Sequence, residues 1–130
     1  MEIAKPGIDL GVFVKDIEGC LKFYCDGLGL QKVGEVPLGP GRTMHRLQIG
    51  DSVLKLNHYA ENAPEAGPRG FAKRLGLGYF TIAVKDLPGV VKQLEAKGMT
   101  FTVPLREFRP GVHICMLEDP DGNTVELLGA

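Results

Sequence analysis

Ile8, Leu10, Val12 and Val14 alternate with Asp9, Gly11, Phe13 and Lys15, a period-two pattern that predicts a strand with one apolar face. Asp16 is a suitable helix cap. Ile17, Cys20, Leu21 and Tyr24 follow at helical spacing, and Gly27 and Gly29 stop the helix. Three strand-like stretches come next, near 31–36, 43–50 and 52–58, the last two joined by a tight Gly50-Asp51 turn.

The same order then returns. Phe80, Ile82 and Val84 alternate with Tyr79, Thr81, Ala83 and Lys85, and Asp86 caps a helix carrying Leu87, Val90, Val91 and Leu94 that ends at Gly98. Strands are predicted near 100–104, 111–118 and 123–128, with Asp119-Pro120-Asp121-Gly122-Asn123 as the hairpin turn. Phe13-Val14-Lys15-Asp16-Ile17 recurs seventy positions later as Ala83-Val84-Lys85-Asp86-Leu87, and Leu54-Lys55-Leu56 recurs seventy-one positions later as Val125-Glu126-Leu127. A chance match would not preserve strand, cap, helix and terminal hairpin in order. The chain therefore reads as an α+β domain made of two tandem βαβββ modules, about 5–58 and 78–130. The Gly-, Pro- and Ala-rich stretch 59–77 joins them.

Composition narrows the function. At 130 residues the chain has the length of one ordinary domain. Basic and acidic residues nearly balance, 15 against 16, which argues against a nucleic-acid or anionic-membrane footprint and leaves small molecules and proteins as partners. No apolar run is long enough to span a bilayer, and the first residues lack the layout of a signal peptide. Cys20, Cys25 and Cys115 are odd in number and share no CxxC spacing, so free thiols in a reducing cytoplasm are expected.

Val14-Lys15-Asp16-Ile17, Phe23-Tyr24-Cys25-Asp26-Gly27-Leu28-Gly29-Leu30, Val84-Lys85-Asp86-Leu87 and Glu118-Asp119-Pro120-Asp121-Gly122-Asn123-Thr124-Val125-Glu126-Leu127 resemble the vicinal oxygen chelate superfamily along essentially the whole chain. That group includes glyoxalase I, bleomycin-resistance proteins, methylmalonyl-CoA epimerase and extradiol dioxygenases. The resemblance implies a glyoxalase-like fold whose modules share a concave cleft, and a homodimer. It also implies a divalent-metal position contributed by the first and last strands of each module. On this sequence those positions are Asp9, Lys55, Tyr79 and Glu126. Strand parity turns all four away from the apolar face. Phe13, Val53, Asn57, Thr81, Thr124 and Leu128 share their parity and are expected to line the pocket.

Metalloenzymes with this layout carry His or Gln at the first and third positions and Glu at the others; here only Glu126 remains. A protonated lysine has no lone pair to offer a cation, and no divalent metal is expected as a cofactor. Lys55 has two readings: an internal cation that replaces the metal between Asp9 and Glu126, or a polar residue at the cleft rim. Glu126 can serve as a general base, with Lys55 or Tyr79 donating to an oxyanion and Asp9 completing the charge set.

His45 and His113 fall on the third strand of each module. They are candidate ligand-binding residues, although their parity is ambiguous: Leu47 and Ile49 favour one orientation of His45, Met44 and Arg46 the other. Arg69, Lys73 and Arg74 can hold an anionic group or form a solvated segment. Two functions follow. One is a metal-independent lyase, isomerase or epimerase acting beside a carbonyl. The other is a non-catalytic protein that sequesters a drug or metabolite, as in the bleomycin-resistance branch.

Overall fold

The structure, a computed structural model, describes residues 1–130. The chain folds into two compact units, Met1–Glu65 and Ala66–Ala130. Each holds one four-stranded mixed sheet.

In the first unit β1 (Leu10–Val14) leads into α1 (Ile17–Leu21), followed by β2 (Gln31–Gly39), β3 (Arg42–Ile49) and β4 (Ser52–Tyr59). The sheet order is β1-β4-β3-β2, with β1 parallel to β4 and the remaining pairs antiparallel. The second unit repeats it: β5 (Tyr79–Ala83), α2 (Leu87–Ala96), β6 (Val103–Arg109), β7 (Val112–Glu118) and β8 (Thr124–Gly129) in the order β5-β8-β7-β6.

The caps are where the repeat predicts them. Asp16 Oδ1 accepts from the Gly19 N–H at 3.0 Å, and Asp86 Oδ1 from the Gly89 N–H at 3.2 Å. Gly29 and Gly98 both turn left-handed at φ +78° to end their helices, a conformation that favours glycine. The first helix departs from expectation after Leu21: Lys22–Gly27 winds wider, and the Leu28 N–H reaches back five residues to the Phe23 carbonyl. Tyr24 in this segment and Cys20 in α1 are fully buried.

The strand expected near 100–104 instead runs Val103–Arg109. Pro104 lies in it and Pro37 in β2, and both strands are sheet edges, where a residue without an N–H costs no ladder bond. The core of the first unit lies on one face of its sheet, where Val14, Leu47, Leu54 and Leu56 are buried. In the second unit Cys115, Leu117, Val125 and Leu127 form the equivalent face, with Leu87, Val91 and Leu94 of α2 in the same core.

Candidate functional site

Pairing register decides which side chains share a face, because directly paired residues point the same way. On the face of the first sheet opposite its core, four rows run across the strands. Val53 and Gln48 form the first, with Gln31 on β2. The second is Gly11, Lys55, Arg46 and Gly34; the third is Phe13, Asn57, Met44 and Val36; the fourth is Tyr59, Arg42 and Gly39. The expected lining residues Phe13, Val53 and Asn57 are thus on this face with Lys55. Val53 is buried in its floor, and Phe13 is 59% exposed.

Asp9, just before β1, closes the first row. Its Oδ1 accepts from the Val53 N–H at 2.9 Å and from the Lys5 ammonium at 2.6 Å, and Lys55 Nζ stands 3.8 Å from Oδ2. The Lys5 hydrogen bond, then the Val53 N–H, hold the Asp9 carboxyl below the usual carboxylate range, with a smaller effect from Lys55. Arg42 lies over the ring of its cross-strand partner Tyr59, 4.6 Å from the centroid, a cation–π contact. Its Nε is buried without a hydrogen-bond partner. Phe13 and Tyr59 approach to 6.0 Å between ring centres.

In the second unit Tyr79, Thr124 and Glu118 make one row, and Thr81, Glu126, Met116 and Val103 the next. The Thr81 hydroxyl donates to Glu126 Oε1 at 2.8 Å. Leu128 occupies the following row between Ala83 and Ile114. Tyr79 is half exposed, and its ring lies 5.5 Å from that of Phe71. Arg69 is engaged with the β7–β8 turn, donating to the Pro120 carbonyl and lying 3.7 Å from Glu118 Oε2, so its charge is already matched.

Two expected lining residues are on the other side. His45 pairs with Leu56, and His113 shares its parity with Cys115 and Leu117, so both imidazoles point to the core face of their sheets. Leu47 decides the matter for His45: once Leu47 is buried opposite Leu54, the residue two positions earlier must face the same way. His45 and His113 thus lie on the opposite face of their own sheets from Lys55 and Glu126 respectively. The Nδ1 atoms of both are buried without a hydrogen bond. The residues that parity missed are Lys5, Arg42, Arg46 and Tyr59; the last three become legible once β3 is oriented by Leu47.

In the first unit Asp9 Oδ1 accepts from Lys5 and the Val53 N–H, and the Lys55 ammonium, with donors only, stands 3.8 Å from Oδ2. In the second, Tyr79 offers a phenol, and Glu126 is held by Thr81. No three His, Cys, Asp or Glu side chains come together in an arrangement able to hold a metal ion.

His45 adds a pH dependence. Burial, with smaller effects from the Lys32 and His58 charges, holds its imidazole below the ordinary 6.5, while Glu35, with Oε1 3.5 Å from Nδ1, opposes this. A histidine with a depressed folded value binds fewer protons folded than unfolded. Its contribution is complete above the unfolded value and is lost as pH falls from about 6.5 toward the folded one. Asp9 and Glu35 are also held low and lose stability only at more acid pH. Thermal midpoints measured from pH 7.5 to 5 are expected to fall less steeply for His45→Leu than for the wild type. Parallel curves would show that His45 is not buried neutral.

The family model described as Glyoxalase/Bleomycin resistance protein/Dioxygenase superfamily matches residues 8–127. The chain is 28% identical over 121 residues to the protein YurT of Bacillus subtilis (strain 168), covering 90% of this chain and 93% of that one. It is 27% identical over 119 residues to the lactoylglutathione lyase GLX1 of Arabidopsis thaliana, covering 88% of this chain but only 41% of that enzyme. Among solved structures it is similar to TnmS3, an antibiotic binding protein from Streptomyces sp. CB03234, with TM-score 0.70, 21% identity and 98% of each chain covered. No helix is long and apolar enough to cross a membrane.

Proposed function

The chain belongs to the Glyoxalase/Bleomycin resistance protein/Dioxygenase superfamily, and on that footing we propose that it binds a small organic molecule on the exposed sheet face carrying Lys55, without a divalent metal at the inherited position. One observation carries this reading: the Lys55 ammonium stands 3.8 Å from an Asp9 carboxylate already engaged by Lys5 and the Val53 N–H. A cation brought there would meet the positive charges of Lys55 and Lys5 beside the one carboxylate. The exposed Phe13 ring, beside Tyr59, supplies apolar surface suited to a flat organic group. The similarity in fold to an antibiotic binding protein agrees with a binding role of this kind. A homodimer is part of the same proposal, to be read by sedimentation velocity on the protein used below.

A second reading rests on Glu126. The Thr81 hydroxyl fixes one of its oxygens and leaves Oε2 without a hydrogen bond, an arrangement that suits a general base taking a proton beside a carbonyl. Such lyase or isomerase chemistry would use Glu126 as base and an ammonium or phenol as oxyanion donor.

The test is calorimetric titration of chelator-treated, tag-free protein with Ni²⁺, Zn²⁺, Mn²⁺ and Mg²⁺. No specific heat is expected from any of the four. Stoichiometric binding at micromolar or lower Kd that Asp9→Asn or Glu126→Gln abolishes would overturn the metal-free reading.

A further inference from the structure

Lys55 and Arg46, both partly buried, are directly paired across β4 and β3 on the face opposite the core. Like charges placed opposite one another on a sheet destabilise it. The side chains of this pair splay: Lys55 reaches toward Asp9, while the Arg46 stem lies over β2, its Cδ 3.7 Å from where a Gly34 Cβ would be. Arg46 has no carboxylate partner. Asp9, the one carboxylate on these rows, is shared with Lys5. Arg42 adds a third cation, engaged only with the Tyr59 ring. Within the first unit the face thus carries an excess of positive charge, although the chain as a whole is at net charge −1.

The flanks of the charged row are bare. Gly11 and Gly34 stand at its two ends, so side chains do not wall off the cations. The neighbouring row is of the opposite character, with Phe13, Met44 and Val36 beside the amide of Asn57. Rows two residues apart along a strand are separated by about 7 Å.

We infer that the ligand of this face is an organic anion, with its carboxylate on the Lys55–Arg46 row and its apolar body, an aryl or short alkyl group, along Phe13, Met44 and Val36. The inference rests on the reading that this face holds a small molecule, and it names that molecule's class. A carboxylate here relieves the repulsion between the two cations and gains charge-assisted hydrogen bonds from both. The adjacent apolar row then selects acids with a body about one ring long over small inorganic anions.

The experiment uses matched probes at constant ionic strength: 3-phenylpropanoate, phenylpyruvate, phenyl phosphate and the neutral 3-phenylpropanamide, each titrated calorimetrically into the intact protein. The carboxylates are expected to bind at least about tenfold more tightly than the amide, and more tightly than phenyl phosphate, whose anionic group is held closer to the ring. Arg46→Gln and Lys55→Gln are each expected to erase the advantage of acid over amide. Arg46→Gln is also expected to raise the thermal midpoint of the free protein, by about 1–3 °C, because it removes a like-charge pair. An amide that binds as well as the acid would overturn the anion inference and leave small-molecule binding standing. Equal acid affinity in wild type and both variants, or no binding by any probe, would also overturn it. The metal-free reading falls separately, on stoichiometric metal uptake.

Discussion

Asp119→Ala is expected to destabilise the protein by about 3 kcal/mol, lowering the thermal midpoint by on the order of 10 °C. Asp119 is 2% exposed, and its carboxylate organises the β7–β8 hairpin. Oδ1 accepts from the N–H groups of Asp121 and Asn123, each at 2.9 Å, and Oδ2 from the Asn123 side-chain amide at 2.9 Å. Alanine leaves both backbone donors without their acceptor in a partly buried turn, and hydrogen bonds to a charged acceptor are worth more than neutral ones. Asp119→Asn supplies the control. Its amide oxygen can still accept from the two backbone N–H groups, but its NH₂ would face that of Asn123, so about half the loss is expected to return. Thermal melts followed by circular dichroism check both variants. An alanine variant within about 0.5 kcal/mol of wild type would show that the turn does not depend on the carboxylate.

The second large effect is in the core of the first unit. Leu56→Ala is expected to cost about 3–4 kcal/mol in urea denaturation, through lost burial plus the cavity left behind. Leu56 is fully buried, with Val12 on one side and His45 on the other in its row. Phe13→Ala removes a larger side chain from the adjacent position of β1 to Val12, yet is expected to change stability by less than about 1 kcal/mol, because Phe13 faces outward and is mostly exposed. Its loss should instead weaken ligand binding. The pair therefore separates the two faces of one sheet by a single measurement, and comparable losses at both positions would contradict the assigned faces.

Much of this was legible in the residues themselves. Alternation in β1 and β5 identified the outward set containing Asp9, Tyr79, Phe13 and Thr81, because a strand with one apolar face has only one way to bury it. Asp16 and Asp86 announced the helix starts through a side chain that satisfies an otherwise unpaired N–H. The repeat tied Lys55 to Glu126, and the two residues do hold equivalent places in β4 and β8.

Other features depended on partners distant in the chain. Alternation in β3 is blurred, with Thr43, His45, Leu47 and Ile49 on one parity and Arg42, Met44, Arg46 and Gln48 on the other, so local pattern offers two orientations for His45. Only the pairing of Leu47 with Leu54 selects one, by burying both. That choice carries His45 into the core and sets Arg46 opposite Lys55. Lys5 precedes any regular element, and nothing in its neighbourhood marks it as the partner of Asp9.

The amino-acid sequence by itself determined the two-module α+β fold and the outward parity of β1, β4, β5 and β8, which rest on local periodicity and residue type. The tertiary structure alone decided which cations share a row, which carboxylates are already engaged and which way the histidines point. Register and ion pairing are agreements between strands that no single strand encodes.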